Sequence, residues 1–328
     1  MNEDRPVLVV TEADDLTADM VIIELNRRNV PVVRFDPADI ADIADTGTGL
    51  AVSARFATRP AAMAGWVRTP SRTADLTRVR AVYWRRPTWP DFSHLEPDDA
   101  RFAAAQVRFG LGGVLYAMDR PLWVNHPQKI AAADYKPTQL ALAQRLGLAV
   151  PPTLITNDPD EARDFITNTR GDVLFKTLRW TPYVRDGLPV TGWAEPVTAD
   201  EVDESVRVTP HLFQVRVDKV ADIRALVVGR RTFAVRISSD LLDWRRDYDA
   251  LTYTVEHLPE QVTAALHAYL ELQGLVSGSF DLAVDRAGTY WWLELNPNGQ
   301  WGWLETETGL PMSAAFADLL IDARGERK

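Results

Sequence analysis

The chain has 328 residues, 46% hydrophobic and 25% charged, enough to bury a large core and to divide into two or three domains. Its 36 Lys and Arg against 46 Asp and Glu leave a formal charge of −10, which argues against general nucleic-acid binding while leaving room for a local basic cleft. There is no cysteine, so thiol catalysis, disulfides and Cys-ligated zinc are excluded, and the five histidines are too scattered for a zinc motif.

In chain order, PVLVV (6–10) reads as a buried strand, residues 17–28 as a helix capped by Thr17, and VPVVRFD (30–36) as a second strand, together a parallel unit. Strands follow at 49–56, 64–68 and 81–87, then a long helix at 97–119. GLGG (110–113) lies inside that helix without a following Lys-Ser or Lys-Thr, so close helix packing is expected of it rather than phosphate binding. The N-terminus MNEDRPVLVV does not read as a signal peptide, and no apolar run is long enough for a bilayer, so a cytoplasmic protein without a membrane partner is expected. From WVNHPQKI (123–130) a new unit begins, with a helix at 136–147, a strand at 150–156, a helix at 158–167 and the strand DVLFKTL (172–178). Residues 179–196 read as a loop or flap. A third unit holds strands at 212–217, 222–228 and 232–238, a helix near 259–273, and strands at 278–285 and 289–296. The expected division of this α/β chain is 1–124, 125–210 and 211–328.

The chemistry concentrates in GSFDLAVDRAGTYWWLELNPNG (278–299). Alternation puts Asp281 and Asp285 on one face of the first strand, and Tyr290, Trp292, Glu294 and Asn296 on one face of the second. A four-residue loop, Arg286 to Thr289, sets Asp285 opposite Tyr290 and therefore Asp281 opposite Glu294. Like charges about 5 Å apart at Cβ repel. A divalent cation removes the repulsion, and Asn296 adds an amide oxygen of the kind that suits magnesium. The alternative is a solvated polar face, which Trp291, Trp292, Trp301 and Trp303 disfavour. The PNG turn after Asn296 is expected to press against a ligand.

Several basic residues accompany the carboxylates. Lys176, in an apolar strand, either meets phosphates or snorkels to water. Lys136 opens a helix just after Asp134, where the helix dipole disfavours a cation unless an anion is near. Arg224 and Arg236 lie on strands joined by three residues, Gly229 to Arg231. They are expected side by side, a pair suited to phosphate or carboxylate, unless each pairs separately with an acid such as Asp222 or Asp240. HLFQVRVDKV (211–220) is by itself an ordinary strand running out towards Asp218.

The ordered set of Lys136, FKTL (175–178), FQVRV (213–217), DIR (222–224), FDLAVD (280–285) and LELNPNG (293–299) resembles the ATP-grasp superfamily across the whole chain. VNHPQKI, YWRRP and ELNPNGQWGWLE are most similar to the ATP-grasp ribosomal peptide maturases, which include the microviridin-type macrocyclases that make graspetides. The resemblance implies an α+β ATP-grasp fold: an N-terminal pre-ATP-grasp α/β domain, a central small domain, and a C-terminal domain with an antiparallel sheet. It also implies ATP and Mg2+ as cofactors and a homodimer. Lys136 and Lys176 would contact ATP phosphates. Gln214, Val215 and Val217 would line the adenine, with Asp218 near the ribose. Asp281, Glu294 and Asn296 would hold magnesium, and Arg224 and Arg236 would face the γ-phosphate and the acceptor carboxylate.

The implied reaction activates an Asp or Glu side chain of a ribosomally made precursor peptide as an acyl phosphate. A Thr or Ser hydroxyl or a Lys amine of the same peptide then attacks, giving an ω-ester or ω-amide ring. Asp240 and Asp243 are candidate bases. The leader of the precursor binds elsewhere; Asp200, Glu201, Asp203 and Glu204 either meet it or form a solvated face. One departure is the flap RWTPYVRDGLPVTGW (179–193), which has only Gly187 and Gly192 where many superfamily members are glycine-rich, so Arg179 or Arg185 is expected to contribute. Two other functions stay open: an ATP-grasp ligase joining separate molecules, such as an amino-acid or glutamate ligase, and a peptide- or nucleotide-binding module without turnover.

Overall fold

The computed structural model describes residues 5–41, 49–58, 61–179, 181, 183–185, 188–190 and 192–322. Strand β1 (Val7–Val10), helix α1 (Leu16–Arg27) and β2 (Val32–Phe35) form the expected parallel unit. β3 (Ala51–Thr58), β4 (Ala61–Arg68) and β5 (Thr73–Asp75) make a separate antiparallel meander. β6 (Ala81–Trp84) and, after helix α2 (Pro97–Tyr116), β7 (Leu122–Val124) complete a parallel sheet in the order β2-β1-β6-β7. Every residue of β1 and β6 is buried, as expected of parallel strands covered on both faces.

Two local expectations are corrected. The cap of α1 is Asp15, which accepts from the Ala18 N–H at 3.2 Å, whereas Thr17 donates its hydroxyl to Gln300 Oε1 at 2.7 Å. The glycines of α2 are not a packing seam: a Cβ on Gly110 or Gly113 would meet nothing within 4 Å, and only Gly112 faces Trp89 and Tyr116. The helix is anchored instead by Leu111 and Leu115, while Phe102 and Phe109 stay exposed.

Helices α3 (Pro127–Ala133) and α4 (Lys136–Arg145) lead into β8 (Thr153–Thr156), α5 (Pro159–Asn168) and β9 (Val173–Lys176). After the hairpin β10 (Tyr183–Arg185) and β11 (Leu188–Val190) come β12 (Glu195–Val197) and β13 (His211–Val215). The second sheet runs β12-β9-β13-β8, with Val173 and Phe213 packed on Ala162 of α5.

The third sheet is antiparallel throughout, in the order β16-β15-β14-β17-β18. Its strands are β14 (Lys219–Val228), β15 (Arg231–Ser238), β16 (Thr252–Glu256) and, after α6 (Glu260–Gln273), β17 (Ser277–Asp285) and β18 (Tyr290–Asn296). Ile223, Phe280, Leu282 and Trp292 form one core with Leu142 of α4 and Leu266 and Tyr269 of α6. Leu226, Phe233 and Val235 form another with α1, with Leu304 of α7 (Gly302–Thr308) and with Phe316 of α8 (Met312–Ile321). Trp292 is fully buried and stacks on Tyr269 at 5.9 Å, so truncating it to alanine would cost about 3–5 kcal/mol. Among the described residues no helix is long and apolar enough to cross a membrane.

Candidate active site

Asp281 does lie opposite Glu294 on the β17–β18 ladder, but by a different route from the expected one. The turn is tighter: the Asp285 N–H donates to the Thr289 carbonyl at 3.2 Å, and Val284 rather than Asp285 opposes Tyr290. A bulge at Leu293 then adds one residue and restores the pairing of the two acids. It also changes which side chains share a face. Trp292 goes with Leu282 into the core, and Glu294 stays level with Asp281.

The repulsion between the two carboxylates is met by cations of the chain itself. Arg224 Nη1 lies 2.6 Å from each oxygen of Asp281, and Lys136 Nζ pairs with Glu294. Asn296 Nδ2 donates to Asp281 Oδ2 at 3.0 Å and to Glu294 Oε1 at 3.1 Å, drawing the three together. Burial pushes the Asp281 carboxyl up, against Arg224, and the charge of Glu294 adds to the rise. Burial opposes ionisation of Glu294 too, but the charge and hydrogen bond of Lys136, the Asn296 hydrogen bond and the charge of Arg245 together outweigh it and hold that carboxyl well below the usual range. The anion near Lys136 that its helix position calls for is therefore Glu294.

Whether this set fits magnesium turns on its donors. Two carboxylates and an amide are hard oxygen ligands, and magnesium commonly takes one or two protein carboxylates and completes its shell with water and phosphates. Turning the Asn296 amide over would present Oδ1 where Nδ2 now sits. The set fits, although among the described residues no group of three or more His, Cys, Asp or Glu side chains is arranged to hold a metal.

Arg224 and Arg236 are not neighbours. The β14–β15 turn has two residues, Gly229 and Arg230, so Val228 opposes Arg231 and Ile223 opposes Arg236. Gly229, at φ 55°, makes that tight turn accessible. A one-residue slip reverses faces, so the two arginines point to opposite sides of the sheet. Arg236 pairs with Glu256 at 2.7 Å, away from the carboxylates.

A cavity of about 490 Å³ opens beside Asp281, Glu294 and Asn296. Lys136, Lys176, Gln214, Val215 and Val217 all line it. Lys176 Nζ donates to Gln214 Oε1 at 2.7 Å, and Gln214 Nε2 to Thr153 Oγ1 at 2.9 Å. Burial pushes the Lys176 amine down to about 8, with the charge of Lys136 adding to the shift. Asp218 is not on the cavity wall, although Val217 and Lys219 on either side of it are; its side chain is 87% exposed and 3.7 Å from Arg286. Asp200, Glu201, Asp203 and Glu204 are exposed and away from it. Glu201 and Asp203 cap short turns, and Glu204 pairs with Arg207 at 2.6 Å.

On the same wall Lys219, Trp193 and Arg245 carry no signal in the sequence, because only the fold brings them in. Lys219 donates to Asp222 Oδ2 and to the Leu242 carbonyl. Burial pushes Asp222 up to about 6 despite that partner. Arg245 grips Asp243 at 2.8 and 2.6 Å, and with Arg246 it flanks the Trp193 ring, 5.8 and 5.7 Å from its centroid. Asp243 thus lines the cavity but is committed to Arg245, and Asp240 is not on the wall. Arg179 lines it too, 3.6 Å from Asp134; Gly187 and the Arg185 side chain lie outside the described residues. The PNG turn presses on protein at Gly299, where a Cβ would come within 2.6 Å of Ser279 Cβ.

No protein-family profile matches this sequence, and no curated protein does. Solved structures do match. The Chryseobacterium gregarium RiPP-associated ATP-grasp ligase, in complex with ADP and a leader and core peptide, is similar at TM-score 0.86 and 25% identity over 97% of each chain. The Microcystis aeruginosa macrocyclase MdnC, bound with precursor peptide MdnA, is similar at 0.83 and 23% identity, over 96% of this chain and 99% of that one. Macrocyclase MdnB of the same organism follows at 0.77 and 26% identity, over 97% and 99%. The chain is therefore an ATP-grasp ligase by fold. Within that class the structures it resembles are a RiPP-associated ligase and a macrocyclase, the kind of protein its motifs resemble.

Proposed function

We propose that the protein closes side-chain rings in a ribosomally made precursor peptide, using MgATP to activate its Asp or Glu carboxylates. The observation that carries this reading is the convergence of Asp281, Glu294 and Asn296 on a cavity that Lys136 and Lys176 also line. Phosphoryl transfer needs positioning and charge neutralisation rather than covalent help from the protein.

Each residue then has a task. Asp281, Glu294 and Asn296 hold magnesium, which supplies neutralising charge at the transferring phosphate. Lys136 and Lys176 bind phosphate oxygens, Lys136 exchanging its Glu294 partner for them. Gln214, Val215 and Val217 line the adenine. Arg224 orients Asp281 through both carboxylate oxygens. Arg236 and Asp218 take no part in this reading. The activated carboxylate becomes a good acyl donor, and attack by a hydroxyl or amine of the same peptide closes the ring and releases phosphate. A homodimer in the cytoplasm, meeting the precursor where it is made, completes the proposal.

The test is to incubate the protein with MgATP and its precursor peptide and to weigh the product. Each ring removes one water. ADP release only when a separate amino acid is supplied would favour the intermolecular ligase, and no ADP release under any condition would leave a binding module.

A further inference from the structure

We infer that Arg85, supplied by the N-terminal parallel sheet, is a positioning residue for Asp281, acting through the 298–300 turn and Arg224. The inference rests on the metal-holding role proposed above. Arg85 is 3% exposed and directly follows β6. Its Nε pairs with the buried Asp15 at 3.2 Å. Its Nη1 donates to the carbonyls of Asn298 and Gly299, at 3.0 and 3.1 Å, and its Nη2 to Gln300 Oε1 at 2.5 Å. Asn298 Nδ2 returns a bond to the Arg85 carbonyl at 2.8 Å. The turn is therefore gripped by its backbone, two residues after Asn296.

The far side of the same turn holds Arg224. Its Nη2 donates to the Gln300 carbonyl at 3.2 Å while its Nη1 spans both oxygens of Asp281. A Cβ on Gly299 would sit 2.8 Å from Arg224 Nη2, so the bare backbone of the turn is the wall against which this guanidinium rests. Arg224 is 6% exposed and its Nε has no hydrogen-bond partner, so the turn and Asp281 are its hydrogen-bonding anchors, with the Trp303 ring centroid 5.9 Å from its Cζ. A guanidinium that only stitched two domains together would need no such continuation. Here the contacts run unbroken from Asp15 through Arg85, the turn and Arg224 to Asp281.

The test uses the full chain and ADP as probe, with affinity measured calorimetrically in saturating magnesium and again in EDTA. The ratio of the two affinities is the magnesium-dependent gain. In Arg85→Lys, which keeps the charge but loses the fork, that gain should fall about tenfold, the scale of one charge-assisted hydrogen bond, with the affinity in EDTA unchanged. Gly299→Ala keeps the Arg85 and Asp15 side chains, but its Cβ would meet Ser279 Cβ at 2.6 Å and Arg224 Nη2 at 2.8 Å, so it shifts the turn between Arg85 and Arg224 and should give the same selective loss; it decides the question if Arg85→Lys does not fold. Equal loss in both conditions, or no loss in either, overturns the inference. A wild-type protein that binds ADP with no magnesium-dependent gain would instead remove the metal site itself.

Discussion

Replacing Lys136 with methionine keeps an apolar stem but removes the cation that neutralises Glu294. Asp281 and Glu294 are directly opposed in the ladder. Unit charges about 5 Å apart repel by about 3 kcal/mol at an effective dielectric of about 20. The Lys136 and Glu294 side chains are 24% and 25% exposed, so solvent screens part of this, and about 2 kcal/mol of stability should be lost. Urea unfolding, monitored by circular dichroism, measures the loss. Two further results should accompany it. Magnesium without nucleotide should stabilise Lys136→Met more than it stabilises the wild type, since Lys136 no longer competes for Glu294. Adding Glu294→Gln to Lys136→Met should recover most of the loss, because the pair is then no longer like-charged. A double variant no more stable than Lys136→Met alone, with magnesium acting equally on both proteins, would refute the electrostatic reasoning.

Glu294→Gln alone should abolish ATP turnover while leaving the far-ultraviolet spectrum of the fold unchanged; turnover near the wild-type rate would dismiss the metal site. Asp222 is held with its carboxyl pushed up to about 6, so folding favours its protonated form. That contribution is full below the ordinary carboxylate value and is lost as pH rises through about 6, so Asp222→Asn should flatten the fall in stability between about pH 4 and 6, by at most about 3 kcal/mol. An unaltered slope in chemical denaturation would count against it. Lys176 has its amine pushed down to about 8 and should regain a proton when phosphates arrive. Calorimetry of ADP binding near pH 9 in two buffers of different ionisation enthalpy should show proton uptake that Lys176→Met removes.

How much of this was legible in the sequence depends on distance along the chain. That Asp281 and Glu294 belong to one hairpin is plain from the sequence, and Lys136 beside Asp134 signals a nearby anion. Turn chemistry was less legible. The β14–β15 hairpin closes in two residues rather than three, and that one-residue slip carries Arg236 to the other face and onto Glu256. Strict alternation also has no room for the bulge at Leu293, so the correct pairing of the acids came from two offsets that cancel. Lys219, Trp193 and Arg245 were not legible at all, since each gains meaning only from elements packed beside it after folding. The resemblance supplied the ATP-grasp class, and Asp218 shows its limit: a motif position carried over to a side chain that the fold turns into solvent.

The bulge at Leu293 also makes the site sensitive to chain length in a way that no substitution reveals. On one side of it β18 delivers Tyr290 and Trp292 to the core; on the other it delivers Glu294 and Asn296 to the cavity. Exchanging Leu293 for another residue keeps the count and both deliveries. Deleting it would force either Trp292 out of its stack with Tyr269 or the Glu294 carboxylate into an apolar core. The extra residue works as a phase shifter, letting one short strand hold the fold together and arm the cavity at once.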